Sequence, residues 1–373
     1  MKCIYCDFYS VGDRIADWSG YVDALIAELN HRISELPMPL HTIYIGGGTP
    51  SLMPRKDFLR LCEALKPYMD DVQEFTIEVN PDDVTPEMLQ VWKQGGVNRL
   101  SMGIQSFDDN LLKTIRRRHS AETARNVYNM AREVFDNVSV DLIYGLPGQT
   151  LKMWRRDVEE AISMKPKHIS SYSLMYEEGT ALTLLRDRGV VSEIPEDTSE
   201  KMMKILIAML RHAGYEHYEI SNFALPGYRS RHNSSYWHGT PYLGLGPSAH
   251  SYDGNRTRCA NKADIRAYLK RWQGCIDNGE VTDNGVIQDD VLAREILSEE
   301  ELLEEHVMLR LRTREGINLE EFCQSFGESA LKRLLENGEK YLADGSLVLS
   351  TSHLYIAEDA MLISDAIILA LVA

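Results

Sequence analysis

The chain has 373 residues, 44% hydrophobic and 26% charged, which is enough for one large core and a smaller second one. A formal charge of −16 argues against a nucleic-acid binder, whose phosphate contacts need a basic surface. No apolar run approaches the ~20 residues that span a bilayer, and the start lacks the basic, apolar and small-residue order of a signal sequence, so the chain reads as cytoplasmic.

The opening "MKCIYCDFYS" carries Cys3-x-x-Cys6. A close pair in a reducing compartment points to metal or redox chemistry, with two incidental thiols as the alternative. Zinc needs a second ligand pair, and none stands at that spacing. The cysteines at 62, 259, 275 and 323 read as small core residues. A helical pattern over 19–33 leads to "HTIYIGGG" (41–48), a strand running into a glycine turn. "GGGTP" (46–50) lacks the lysine of a P-loop and the spacing of a dinucleotide fingerprint. A tight turn accounts for one glycine, whereas three in a row suggest close approach of the backbone to a ligand.

After a helix over 55–68, strands are expected at 74–81, 97–107, 138–148, 168–176 and 214–224, with a helix at 199–214. Units of roughly 25–40 residues suit a parallel βα barrel or a doubly wound sheet, and periodicity alone permits both. "GLPGQT" (145–150) is a second strand-end turn. The turns and polar motifs fall at C-terminal strand ends, where parallel folds bind ligands. Glu78, Gln105 and Asp141 lie on three different strands, and a carboxylate inside an apolar strand is costly without a partner. Together they would converge on one mouth.

The basic run "RRRH" (116–119) reads as a solvated helix end, and "SEEELLEEH" (298–306) as a solvated helix face. Residues 225–262 show little periodicity and read as a long ordered loop, which tends to be functional. Within it, "RHNSSYWHG" (231–239) allows two readings. Tyr236 and Trp237 pack while His232 is a satisfied hydrogen-bonder, or a flat aromatic ligand stacks on the rings and is ligated by histidine. Residues 285–373 read as a small C-terminal domain with two strands around a turn and a packed final helix, "AMLISDAIILALVA".

In this order, "CIYCDFYS", "YIGGGTPSLM", "IEVNPDDVT", "NRLSMGIQSF", "VDLIYGLPGQT", "HNSSYW" and "YLGLGPSAHS" resemble the radical S-adenosylmethionine (SAM) superfamily. Within it they are closest to the oxygen-independent coproporphyrinogen oxidase and its heme-chaperone paralogues of the HemW type. The resemblance implies an α/β fold, a partial parallel (β/α) TIM-like barrel over 1–225. A loop-rich region with HNxxYW (226–284) and a winged-helix-like α+β domain (285–373) complete it. It also implies a [4Fe–4S] cluster held by Cys-x3-Cys-x2-Cys. Cys3 and Cys6 match the second and third cysteines; the first is expected two residues before Met1, together with the barrel's first strand, in a chain that starts late. Gly47, Gly48 and Thr49 would line the methionine end of SAM, and Glu78 would bond its ribose or amino group. Gln105, Arg117 and Asp141 match contacts to a second SAM, which revises the reading of "RRRH" at Arg117.

The oxidase carries a further cysteine where this chain has Phe8, and "HNSSYW" matches the chaperones' suspected heme-handling motif, with His232 the candidate ligand. The resemblance therefore implies heme or porphyrin as cargo and heme-accepting respiratory proteins as partners, and it admits peripheral membrane contact and a homodimer. The enzymatic alternative is oxidative decarboxylation of coproporphyrinogen III, with catalytic residues unassigned. A third reading is a cluster-free scaffold.

Overall fold

The computed structural model describes residues 2–11, 17–278 and 292–373. Strands β1 (Thr42–Ile45), β2 (Glu74–Val79), β3 (Arg99–Gln105), β4 (Asn137–Tyr144) and β5 (His168–Ser173) run parallel in sequence order. The connections carry helices Arg55–Leu65, Pro86–Gln94, Ala121–Val134 and Leu151–Met164. Thr85, Ser120 and Thr150 start the last three by accepting a backbone N–H with the side chain.

Alternation within the strands divides the sheet chemically. Phe75, Ile77, Leu100, Met102, Val138, Val140 and Ile169 are all within 1% of complete burial, in one core with Trp92 and Trp154 of the helices. Each such side chain contributes roughly 1.5–3 kcal/mol on burial. The intervening positions are Thr76, Glu78, Arg99, Ser101, Gly103, Gln105, Ser139, Asp141, His168 and Ser170, so the opposite, concave face is polar. The result is a curled, open half-barrel.

The sixth expected strand, 214–224, is instead a hairpin. β6 (Glu216–Glu219) turns at Ile220–Ser221 into β7 (Asn222–Ala224), giving the order β1-β2-β3-β4-β5-β7-β6 with β7 antiparallel to both neighbours. The turn is held from both sides: the Ser171 N–H donates to Ser221 O at 2.8 Å, and the Ile220 N–H donates to Arg312 O at 3.1 Å. Arg314 N–H reaches Tyr218 O at 3.1 Å, and Thr313 bridges Glu219. Residues 312–314 therefore lie along the outer edge of β6.

The stretch expected as a loop over 225–262 contains helix Arg231–Trp237 and strands β8 (His250–Tyr252) and β9 (Thr257–Asn261); β9 pairs with β8 on one side and with β10 (Leu292–Ile296) on the other. Elements of three to seven residues are too short to show a period. Ser298 and Glu301 form a capping box for helix Glu299–Leu311, whose acidic face is solvated except where Glu305 meets Arg258 at 2.6 Å.

Strands β11 (Ile317–Asn318), β12 (Leu347–Leu349) and β13 (His353–Ile356) and the final helix Ser364–Val372 enclose a second core with Leu311, Phe322 and Ile367. The expected boundary at 284–285 and the reading of Cys275 lie outside the described residues and side chains; Cys62 and Cys259 are buried. Among the described residues no helix is long and apolar enough to cross a membrane.

Candidate functional site

A cavity of ≈ 1190 Å³ opens along the free edge strand β1, larger than the ~300–1,000 Å³ usual for small-molecule sites. Cys3, Cys6, Gly47 and Arg117 line one end, and His232 and Tyr236 the other. Gly46 at the first end stands four positions after Thr42 at the second, roughly 13 Å along a strand.

At the first end, the segment carrying both cysteines is tied down by Ile4, which is buried and whose O accepts from Leu182 N–H at 2.9 Å. The Cys6 N–H donates to Cys3 O at 3.3 Å, so the two thiols lie on one turn. Burial pushes the Cys6 thiol up. Among the described residues no group of three or more histidine, cysteine or carboxylate side chains is placed to hold a metal ion; Cys3 and Cys6 are the two thiols at this end.

Gly47 has φ +103°, a conformation that disfavours any side chain. A Cβ on Gly46 would run into the Tyr44 ring at 2.5 Å and Glu78 Oε1 at 2.9 Å. A Cβ on Gly48 would meet only Ser10 Cβ at 3.7 Å, so nothing in the protein itself requires glycine there. The turn thus presents open backbone to the cavity, as a bound ligand lying across it requires.

Glu78 accepts from the Tyr44 hydroxyl at 2.8 Å and from Gly47 N–H at 3.2 Å. Burial raises its carboxyl to about 7, with Asp141 adding to the rise and Arg99 opposing it. Burial also raises Asp141, against the Arg99 charge and hydroxyls of Ser101 at 3.1 Å and Ser139 at 3.4 Å. The two carboxylates expected to converge thus sense one another on the concave face.

Arg117 is the hub of the first end. Its guanidinium donates to Gly103 O at 2.5 Å, Asn80 Oδ1 at 2.7 Å and Cys3 Sγ at 3.3 Å. "RRRH" is therefore solvated only in part: Arg116 and Arg118 are exposed, Arg118 bonding Asp83 at 2.8 Å, whereas Arg117 turns inward and His119 is buried with Nε2 3.0 Å from Ile104 O. Arg117 and His119 turn inward where the chain reverses after helix Asp109–Thr114, with Arg116 at φ +58°. Gln105, at φ +71° and a register shift against β4, sits beside this hub. Gln105 Oε1 and Arg117 Nε are buried without hydrogen-bond partners among the described residues, polar atoms that fit a bound polar ligand.

At the second end His232 starts a short helix whose first N–H groups are held by Glu74. That buried carboxylate accepts from Arg231 N–H at 2.9 Å, His232 N–H at 3.0 Å and the Ser230 hydroxyl at 3.3 Å. A carboxylate at a helix start also complements the helix dipole. The imidazole stacks on Tyr44, centroids 4.8 Å apart and planes 19° apart. Its Nδ1 lies 2.9 Å from Thr42 Oγ1, and its Nε2 lies 3.0 Å from the Tyr236 hydroxyl. Both ring nitrogens are thus engaged by side chains, and burial lowers the ring to about 4.

Sequence reasoning missed Tyr44, Glu74, Arg99 and the role of Tyr236. Tyr44 joins the two ends, its ring on His232 and its hydroxyl on Glu78. A signal was available for Glu74 and Arg99, which share strand faces with Glu78 and Gln105.

Residues 1–161 match the Radical SAM superfamily and residues 297–363 the HemN C-terminal domain. Heme chaperone HemW of Bacillus subtilis is 34% identical over 374 residues, 97% of this chain and 94% of that protein. Heme chaperone HemW of Mycobacterium tuberculosis is 32% identical, covering 98% of this chain and 90% of its own length. In fold the chain is similar to the coproporphyrinogen III oxidase HemN of Escherichia coli, a radical SAM enzyme. The TM-score is 0.81 at 21% identity, over 100% of this chain and 87% of that one. With full-length relatives above 30% identity, the chain belongs to the HemW heme-chaperone family of the radical SAM superfamily.

Proposed function

We propose that the protein binds heme as a carrier for respiratory heme proteins, on a scaffold that also takes SAM and an iron–sulfur cluster. The observation that carries this reading is the single cavity joining the glycine turn and the Cys3–Cys6 segment to the His232–Tyr236 helix. Gly47, Gly48 and Thr49 hold the methionine end of SAM against open backbone, and Glu78 its ribose or amino group. Gln105, Arg117 and Asp141 serve a second SAM or another polar ligand beside Cys3. Cys3 and Cys6 contribute two cluster thiolates. When bound, the cluster and SAM supply one-electron chemistry; the chain binds and orients them.

The enzymatic reading, coproporphyrinogen oxidation, is favoured by one feature, the Gln105–Arg117–Asp141 set. Against it stands Phe8, 68% exposed at the cavity where the oxidase has a cysteine. The discriminating experiment supplies coproporphyrinogen, SAM and reductant anaerobically, and in parallel titrates hemin. Hemin binding without protoporphyrinogen is expected; accumulation of protoporphyrinogen would overturn the carrier reading.

A further inference from the structure

The second end of the cavity presents its groups in a fixed order. His232 is held on every side: the backbone N–H on Glu74, one ring face on Tyr44, Nδ1 on Thr42 and Nε2 on Tyr236. Tyr236 stands one helical turn later on the same face, 39% exposed, with its ring fixed edge-on to Tyr242 at 4.8 Å. Both rings line the cavity, and the exposed Tyr236 carries the oxygen that occupies the imidazole's Nε2. Arg231 and Arg116 on the cavity wall offer cations to the carboxylates of a porphyrin.

We propose that Tyr236, not His232, is the side chain that ligates ferric heme iron, with His232 as the positioning residue that holds its oxygen. The inference rests on the heme-binding reading above. Phenolate oxygen is an established axial ligand of heme iron. On coordination the iron–oxygen bond forms and the phenolic proton leaves with the hydroxide that the iron gives up, as water; neutral His232 accepts from the Thr42 hydroxyl at Nδ1 and donates from Nε2 to the bound oxygen. Iron stays ferric and no electron is transferred. The arrangement explains why an imidazole at a heme-handling motif has no free nitrogen.

Resonance Raman spectra of the full chain with hemin test this, using natural and ring-deuterated tyrosine. The wild type should show iron–tyrosinate vibrations that shift with the label. Tyr236→Phe should lose them and bind hemin at least about tenfold more weakly. His232→Gln, whose amide still reaches the phenol, should keep them at altered frequency. Tyr236→His, which retains a ligand but changes its donor, should give a nitrogen-ligated spectrum and guards against a Phe variant that fails to fold. A nitrogen-ligated spectrum in the wild type, or tyrosinate bands persisting in both Tyr236 variants, overturns this assignment and leaves heme binding standing. A wild type that takes up no hemin overturns both.

Discussion

Replacing Glu78 by glutamine should change how the stability of the half-barrel depends on pH. The carboxyl is raised from 4.5 to about 7, chiefly by burial. The folded chain therefore holds a proton that the unfolded chain has released. The stabilisation from that proton is complete below about 4.5 and lost as pH climbs through about 7. A gap of about 2.5 in pH, at ~1.4 kcal/mol for each pH unit, corresponds to about 3.5 kcal/mol. Glutamine keeps an acceptor for the Tyr44 hydroxyl but turns an N–H towards Gly47 N–H, a loss of ~1 kcal/mol.

The variant should thus be less stable than wild type by ~1 kcal/mol in acid and more stable by ~2.5 kcal/mol at about pH 8. Urea titrations read by tryptophan fluorescence suit the measurement, because all five tryptophans (18, 92, 154, 237 and 272) precede the C-terminal core. If the stability gap between the two proteins is the same in acid as at about pH 8, the buried proton on Glu78 is refuted.

Gly48→Ala should leave stability within ~0.5 kcal/mol, because its Cβ meets only Ser10 at 3.7 Å, yet weaken SAM binding measured by calorimetry. Unchanged affinity would remove this glycine from the cradle. Glu74→Ala takes the acceptor from two helix-start N–H groups and one hydroxyl, a cost of about 2–4 kcal/mol, and should open residues 231–237 to proteolysis. Cleavage as slow as in wild type would show that the helix start holds without it. Cys3→Ala and Cys6→Ala should each lower iron and acid-labile sulfide after anaerobic reconstitution. A chain extended by a cysteine two residues before Met1 should hold about four irons. Equal iron in all these proteins would exclude both thiols as ligands.

The parallel sheet and its helices were legible because the strands alternate and the helices are long enough to show a period. The hairpin at 216–224 was not, because Ile220 and Ser221 carry no glycine or asparagine turn signal and the bend depends on Arg312 and Ser171 from elsewhere. Glu78, Gln105 and Asp141 could be picked out as polar residues on apolar strands. Tyr44 could not, since a tyrosine in a strand is ordinary and its importance comes from two neighbours distant in sequence. "RRRH" was misread at two of its positions for the complementary reason: four polar residues signal solvent locally, and only the fold reveals Cys3, Asn80 and Ile104 O as partners of Arg117 and His119.

Residues 312–314 bear on how far the protein can be taken apart. A sheet ending at β6 would leave a row of unmet amide and carbonyl groups, the template on which chains join edge to edge. Ile220, Tyr218 and Glu219 instead meet Arg312, Arg314 and Thr313. The C-terminal segment thus acts as a selvedge for the barrel: fragments ending before it would expose a sticky border, and self-association in such fragments says nothing about the assembly of the whole chain.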